Sequence, residues 1–191
     1  MKTFYRTNQI SIQHDVALFA SEQLDAVSIT LLEMYKKLHP ESEVFMSINV
    51  SEETDTFMKN NIHYELIKAS PNVEGFLTNQ FLSDESVYLD KNYLSEISKL
   101  IGSKHLIVGP AFTTIPSFLH SKTVEELIEV NVSGLMYDTR DLDFSDFKAL
   151  QPLAKLRSFA RNRIEIIPVV SSIEKRDELV KLIPFKVVAI I

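Results

Sequence analysis

The sequence contains no cysteine, and only 4 of its 191 residues are glycine. Without cysteine there is no disulfide framework, no thiolate metal site and no thiol nucleophile, and nothing marks an oxidising compartment. So few glycines leave no glycine-rich phosphate loop. Nowhere do 18 apolar residues run together, and the start Met1-Lys2-Thr3-Phe4-Tyr5 carries no signal-peptide core. No membrane partner is therefore expected, and a cytoplasmic location is the default. Long Lys/Arg blocks are missing too. With 26 acidic against 20 basic side chains and a net charge of −6, the overall field repels nucleic acid and anionic membranes. No Gly/Ser linker, internal repeat or low-complexity stretch divides the chain, so residues 1–191 are expected to form a single domain.

What is present is an alternation of short β-branched or aromatic runs with amphipathic stretches, which is the α/β signature. The strand candidates are Thr3–Ile12, Asp15–Ala20, Glu43–Val50, Ile62–Lys68, Lys104–Val108, Gly134–Asp138, Ile164–Val170 and Phe185–Ile190. Leu24, Val27, Leu31, Met34 and Leu38 recur at helical spacing, as do Phe147, Leu150, Leu153 and Leu156. Thr123-Val124-Glu125-Glu126 and Ser171-Ser172-Ile173-Glu174 have the spacing of capping boxes, and Pro40 and Pro184 follow helix ends. Only Gln13-His14 separates the first two strand candidates, too little for a helical crossover, so they are expected to be antiparallel. The expected fold is a TIM-like (β/α)8 barrel with an antiparallel first strand. Pro168 is expected at a strand end or bulge, where its missing N–H costs least.

In such a barrel, catalytic groups project from the C-terminal ends of the strands. Here those ends are chemically inert: Leu106-Ile107-Val108-Gly109-Pro110-Ala111-Phe112, Val16-Ala17-Leu18-Phe19 and Ile166-Ile167-Pro168-Val169-Val170 offer no acid. His14, His39, His63, His105 and His120 are scattered, with no pair at metal-ligand spacing. Ser51, Ser171 and Ser172 lack a His–acid partner for a hydrolytic triad. The stretch Lys155-Leu156-Arg157-Ser158-Phe159-Ala160-Arg161-Asn162-Arg163 concentrates cations where a helix C-terminus favours them; an acidic protein partner is the alternative use of it.

Six segments carry a family resemblance. Phe4-Tyr5-Arg6-Thr7-Asn8-Gln9-Ile10 with Asp15-Val16-Ala17-Leu18-Phe19, Phe45-Met46-Ser47-Ile48-Asn49-Val50-Ser51, and Tyr64-Glu65-Leu66-Ile67-Lys68 come first. Leu106 to Phe112, Leu135-Met136-Tyr137-Asp138-Thr139-Arg140 and Ile166 to Ser172 follow. In this order they resemble the motifs of the EAL domain, the cyclic-di-GMP phosphodiesterase barrel, nearest the branch joined to HDOD domains. The resemblance implies that the signature Glu is replaced by Ala17 and the paired Asp residues by the Gly109–Ala111 segment. It places Met136 at the catalytic Lys, Pro168 and Ser171 at two Glu positions, and Lys68 at the second Glu of an ExxE motif. Only Asn49, Glu65 and Asp138 survive, too few oxygen ligands for a divalent cation.

The resemblance thus implies a catalytically inactive EAL-like domain: no catalytic residues, no cofactor, no bound metal and no phosphodiesterase activity. Two roles remain for it. It is a regulatory protein-interaction module, binding an unidentified regulatory protein or itself as a possible homodimer, or alternatively a metal-independent sensor of cyclic-di-GMP or another small anion. Arg140 beside a strand end suits the latter, and Phe112 and Phe118 are the expected partner-binding anchors for the former.

Overall fold

Alternate residues of the short apolar runs bury on opposite sides of one sheet, and this decides the architecture. The computed structural model describes residues 1–7, 9–19, 26–48, 72–78, 82–83, 86–89, 91–109 and 119–191. Within them lie β1 (Lys2–Arg6), β2 (Val16–Phe19), α1 (Ala26–Leu38), β3 (Glu43–Ser47), β4 (Gly75–Thr78), β5 (Leu82–Ser83) and β6 (Ser86–Leu89). The chain continues through α2 (Lys91–Ile101), β7 (His105–Val108), α3 (His120–Glu129), β8 (Gly134–Asp138), α4 (Phe147–Ala160), β9 (Glu165–Val170), α5 (Ile173–Leu182) and β10 (Val187–Ile190). Strands β1, β10, β9, β8, β7, β4, β3 and β2 are neighbours in that order and close into a barrel, all parallel. The short strands β5 and β6 form a separate antiparallel pair.

Two cores follow from the strand period of two. Phe4, Val16, Leu18, Phe45, Leu77, Ile107, Met136, Ile167, Val169 and Ala189 fill the barrel interior. Their sequence neighbours, among them Ala17, Val44, Met46, Phe76, Leu106, Leu135, Ile166 and Val188, face outward and pack with Leu94, Ile97, Leu127, Leu153 and Leu156 of the helices. The interior of an eight-stranded barrel is a packed core rather than a pore.

The first strand is parallel to the second, contrary to the expectation of a hairpin: Phe4 pairs Val16, Tyr5 pairs Ala17 and Arg6 pairs Leu18. β1 stops at Arg6 rather than Ile12, which frees the following link to carry the chain back along the barrel without a helix. That link is tied to α1 and the approach to β3. The His14 N–H donates to the Tyr35 hydroxyl at 2.9 Å, Ser42 Oγ donates to the His14 carbonyl at 2.7 Å, and the His39 ring meets the Ile10 carbonyl at 2.9 Å.

Other expectations shift by small amounts with identifiable causes. In α1 the buried stripe runs through Leu32 and Tyr35, while Met34 and Leu38 are exposed. In α4, Leu150, Leu153 and Leu156 are buried, but Phe147 is 75% exposed. Thr123 is no cap; it lies inside α3 and its hydroxyl donates to the Leu119 carbonyl at 3.0 Å. α5 is capped by Ser172, which accepts from the Lys175 N–H. Pro168 lies within β9, not at its end, opposite Tyr137 of β8. Pairing of β9 with β10 begins at the next residue, Val169 with Ala189, so the missing N–H falls where that ladder starts. The strand β4 was not among the candidates; Ile62–Lys68, the candidate in that part of the chain, lies outside the described residues.

Candidate functional site: the C-terminal mouth of the barrel

The strand parity fixes which residues line the mouth. Arg6 shares the inward face of Phe4, Ser47 that of Phe45, Gly109 that of Ile107, Asp138 that of Met136, and Ile191 that of Ala189. Thr3 and Tyr5 confirm the alternation in β1: Thr3 takes a hydrogen bond from Arg176 of α5, and Tyr5 stacks on His14 outside the barrel with ring centroids 4.5 Å apart. Beneath this rim Leu18, Leu77, Ile107, Met136 and Val169 plug the interior. The described mouth is therefore a shallow, mostly apolar floor with a few polar groups at its edge.

Among the described residues Asp138 is the one carboxylate that parity places at the mouth, and Arg140 holds it. The guanidinium donates through Nε to Oδ1 at 2.9 Å and through Nη2 to Oδ2 at 2.6 Å, and the Arg140 backbone N–H adds a third bond at 3.1 Å. These side-chain bonds hold the Asp138 carboxyl below the ordinary carboxylate value, outweighing the desolvation that pushes it up. Beside it Thr139 is fully buried, its hydroxyl and N–H both donating to the Val169 carbonyl at 2.7 and 3.0 Å. The β8 end is thus rigidly tied to β9.

A depressed carboxylate pKa stabilises the fold above the unfolded-state value and loses that contribution as pH falls through the folded value. Arg140→Ala should move the Asp138 titration, followed by carboxyl carbon NMR, from below to at least the ordinary value of 3.8, because desolvation remains when the partner is gone. The pair is partly exposed, so the stability change at neutral pH should stay below about 1 kcal/mol.

Ser47 and Arg6 differ from Asp138 in being unmatched. Ser47 is 3% exposed and its hydroxyl has no hydrogen-bond partner among the described residues. Arg6 is exposed and has no ion-pair partner among the described residues. Of the family-derived positions, Ala17 and Met136 are fully buried and apolar, with Ala17 facing the helices and not the mouth. Gly109 donates its N–H to Thr78, and Ser171 is exposed. Asn49, Glu65, Lys68, Phe112 and Phe118 lie outside the described residues. With β1 ending at Arg6, parity places Ser47 and Arg6 at the mouth, but it does not tell that they lack partners. No group of three His, Asp or Glu able to hold a metal occurs among the described residues.

A polar groove of about 510 Å3 lined by Ser95, Lys99, Lys104, His105, Asn131 and Ser133 opens at the opposite face, where β7 and β8 begin. In barrels of this kind that face serves stability rather than chemistry. Burial lowers the Lys104 pKa there, and its ammonium donates to the Val73 carbonyl at 2.5 Å. Among the described residues no helix is long and apolar enough to cross a membrane.

No family model matches the chain, and no curated protein sequence matches it. Similarity is found in solved structures. The copper homeostasis protein CutC from Streptococcus agalactiae superposes with a TM-score of 0.77 at 13% identity, covering 99% of this chain and 97% of that one. An aldolase, QR15, gives 0.63 at 12% identity over 92% of this chain and 77% of that one. A dihydrodipicolinate synthetase from Pseudomonas aeruginosa gives 0.60 at 12% identity over 92% of this chain, but only 58% of its own length. These likenesses overturn the EAL resemblance, as does the parallel first strand. The six segments that carried it are mostly apolar barrel strands in chain order, a pattern that parallel (β/α)8 barrels share without a common function. What the comparisons show is the fold, a closed parallel α/β barrel of the TIM type.

Proposed function

We propose that the protein is a binding barrel without chemistry of its own, taking a small anionic ligand at its C-terminal mouth without a metal. The observation that carries this is the pairing of an unmatched cation with an unmatched buried hydroxyl on one rim. Arg6 brings charge, and the Ser47 hydroxyl is a donor whose isolation costs stability unless a ligand completes it. A guanidinium and a hydroxyl together suit a carboxylate or phosphate oxygen. Asp138 does not compete for Arg6, because Arg140 already neutralises it.

Enzymatic readings find less support in the described residues. A carboxylate held ionised by a bidentate guanidinium is a poor proton donor and a weakened base. Aldol chemistry through a Schiff base needs a lysine at the mouth; the inward lysine of β1 is Lys2, at the opposite end and paired with Glu43. Copper handling of the kind named for the CutC neighbour does not fit the donor set either. Soft copper(I) selects thiolate and thioether ligands, whereas the chain has no cysteine, and Met136 is the one methionine of the apolar interior among the described residues.

Calorimetric and NMR titrations with inorganic phosphate and with malonate at low salt test this reading. Saturable binding is expected, reduced at least tenfold by Arg6→Gln. Ser47→Ala should weaken binding while leaving the denaturation midpoint equal or higher, since it removes an unsatisfied buried group. No saturable response, or Arg6→Gln binding as well as wild type, overturns the proposal. The second reading, a regulatory module that binds protein, is favoured by the exposed aromatics at the ends of α4.

A further inference from the structure

α4 and α5 are neighbours in the outer ring, because the strands that precede them, β8 and β9, are hydrogen-bonded neighbours. Their two ends differ in charge. At the mouth side Asp141, Asp143, Asp146 and Glu174 are exposed and have no ion-pair partner among the described residues; they outnumber the exposed cations there, Lys148 and the Arg140 already bound to Asp138. Asp143 turns its carboxylate to Ser145, and Asp146 caps α4 through the Lys148 N–H. At the opposite side Arg161 and Arg163 are exposed just beyond the last turn of α4, with no ion-pair partner among the described residues, and Arg157 lies over the Phe185 ring at 5.4 Å. There Glu165 is only loosely met by Lys186, at 3.8 Å.

Helix dipoles favour acidic N-termini and basic C-termini, and that accounts for the charges. It does not account for the apolar side chains among them. Phe147 is 75% and Ile173 48% exposed in the acidic rim; Phe159 is 39% and Leu182 49% exposed in the basic rim. The remaining apolar residues of α4, Leu150, Leu153 and Leu156, are buried, so solvent reaches large apolar groups only towards the two ends of this helix. Aromatics ringed by charge are the composition of interface anchors.

We propose that the chain associates with copies of itself head to tail. The acidic rim around Phe147 and Ile173 of one molecule seats on the basic rim around Phe159 of the next. The occupant is a second copy because the two rims carry opposite charge and each presents an exposed aromatic for the other to cover. The two patches are different surfaces, so the contact is heterologous and leaves one free rim at each end of every assembly. The net charge of −6 opposes approach of two copies. That repulsion acts over the whole body and is already largely screened at the Debye length of about 10 Å in 0.1 M salt, whereas charges in contact are screened only at higher ionic strength.

Sedimentation velocity over a concentration series in 0.1 M sodium chloride tests this. The weight-average coefficient should climb with concentration without reaching a plateau at the dimer, and should fall in 0.5 M salt. Phe147→Ser alone and Arg161→Glu/Arg163→Glu together should each give a monomer, with melting curves near wild type. Mixed in equal amounts, these two variants should form a 1:1 pair that grows no further, because each keeps the rim the other has lost. A wild type that stays monomeric throughout, or a mixture that does not pair, overturns the proposal. So does disruption by only one of the two variants, which would mark a symmetric contact.

Discussion

Replacing Gly75 by alanine should destabilise the barrel by roughly 3 kcal/mol, at the upper end of what overpacking costs. A β-carbon at this position would stand 2.4 Å from the His105 carbonyl oxygen and 2.5 Å from a ring carbon of Phe45. Neither neighbour can yield. The carbonyl belongs to β7, paired with β4 through Gly75 and His105, and Phe45 is held in the barrel interior against Phe4 with ring centroids 4.9 Å apart. Gly134 provides the internal control. There the nearest atoms are side-chain carbons of Ile107 and Ile167 at 3.0 and 3.3 Å, which a rotamer adjustment relieves, so Gly134→Ala should cost about 1 kcal/mol. Urea denaturation of both variants reads the difference as a shift in midpoint at unchanged slope. Equal midpoints would show that the approach of β4 to β7 is looser than described.

The adjacent position fails in the opposite sense. Phe76 is fully buried and faces outward into the layer between barrel and helices. Phe76→Ala removes a large ring from the packed layer between the barrel strands and the helices, which relaxes only partly, and should cost about 3–5 kcal/mol. Phe147→Ala removes the same ring from solvent and should change stability by no more than about 0.5 kcal/mol. A Phe76→Ala loss below about 1 kcal/mol would mean that the surrounding layer collapses into the gap. The same denaturation experiment decides it.

These two residues also show why β4 is hard to see in the sequence. Gly75-Phe76-Leu77-Thr78 is a four-residue strand that opens with the residue least suited to strands. Glycine is there because Phe45 and the His105 carbonyl occupy the space, a tertiary fact that no local pattern encodes. By contrast Gly134–Asp138 is readable to the residue, because a short continuous apolar run, buried on both faces, meets turn residues on both sides. The direction of β1 turns on its length: an apolar pattern that continues to Ile12 hides the link after Arg6 that makes the strand parallel. In α1 an apolar residue at nearly every third or fourth position allows two stripes, and packing chose Leu32 and Tyr35 over Met34 and Leu38.

The candidate site was legible in one half. Asp138 and Arg140 stand together in the sequence, and their pairing needs only a turn. Ser47 and Arg6 lie two strands apart in the barrel, and what distinguishes them is the absence of a partner, a property of the folded molecule alone. The family resemblance failed because it weighed apolar strand motifs in order, and the barrel itself imposes that order.

The closing seam of the barrel joins Lys2, Thr3, Phe4 and Tyr5 to Val187, Val188, Ala189 and Ile190, the most sequence-distant contact in the molecule. Loop-closure entropy makes such a pairing slow, and it is formed late relative to the local βα units. Until it forms, both β1 and β10 present unpaired edges. During synthesis, β1 emerges first and must wait for its partner at the other end of the chain, so the time spent as an open sheet is set by translation itself. The folding yield of this protein should therefore respond to elongation rate and to holdase chaperones that shield edges, more than its equilibrium stability would suggest.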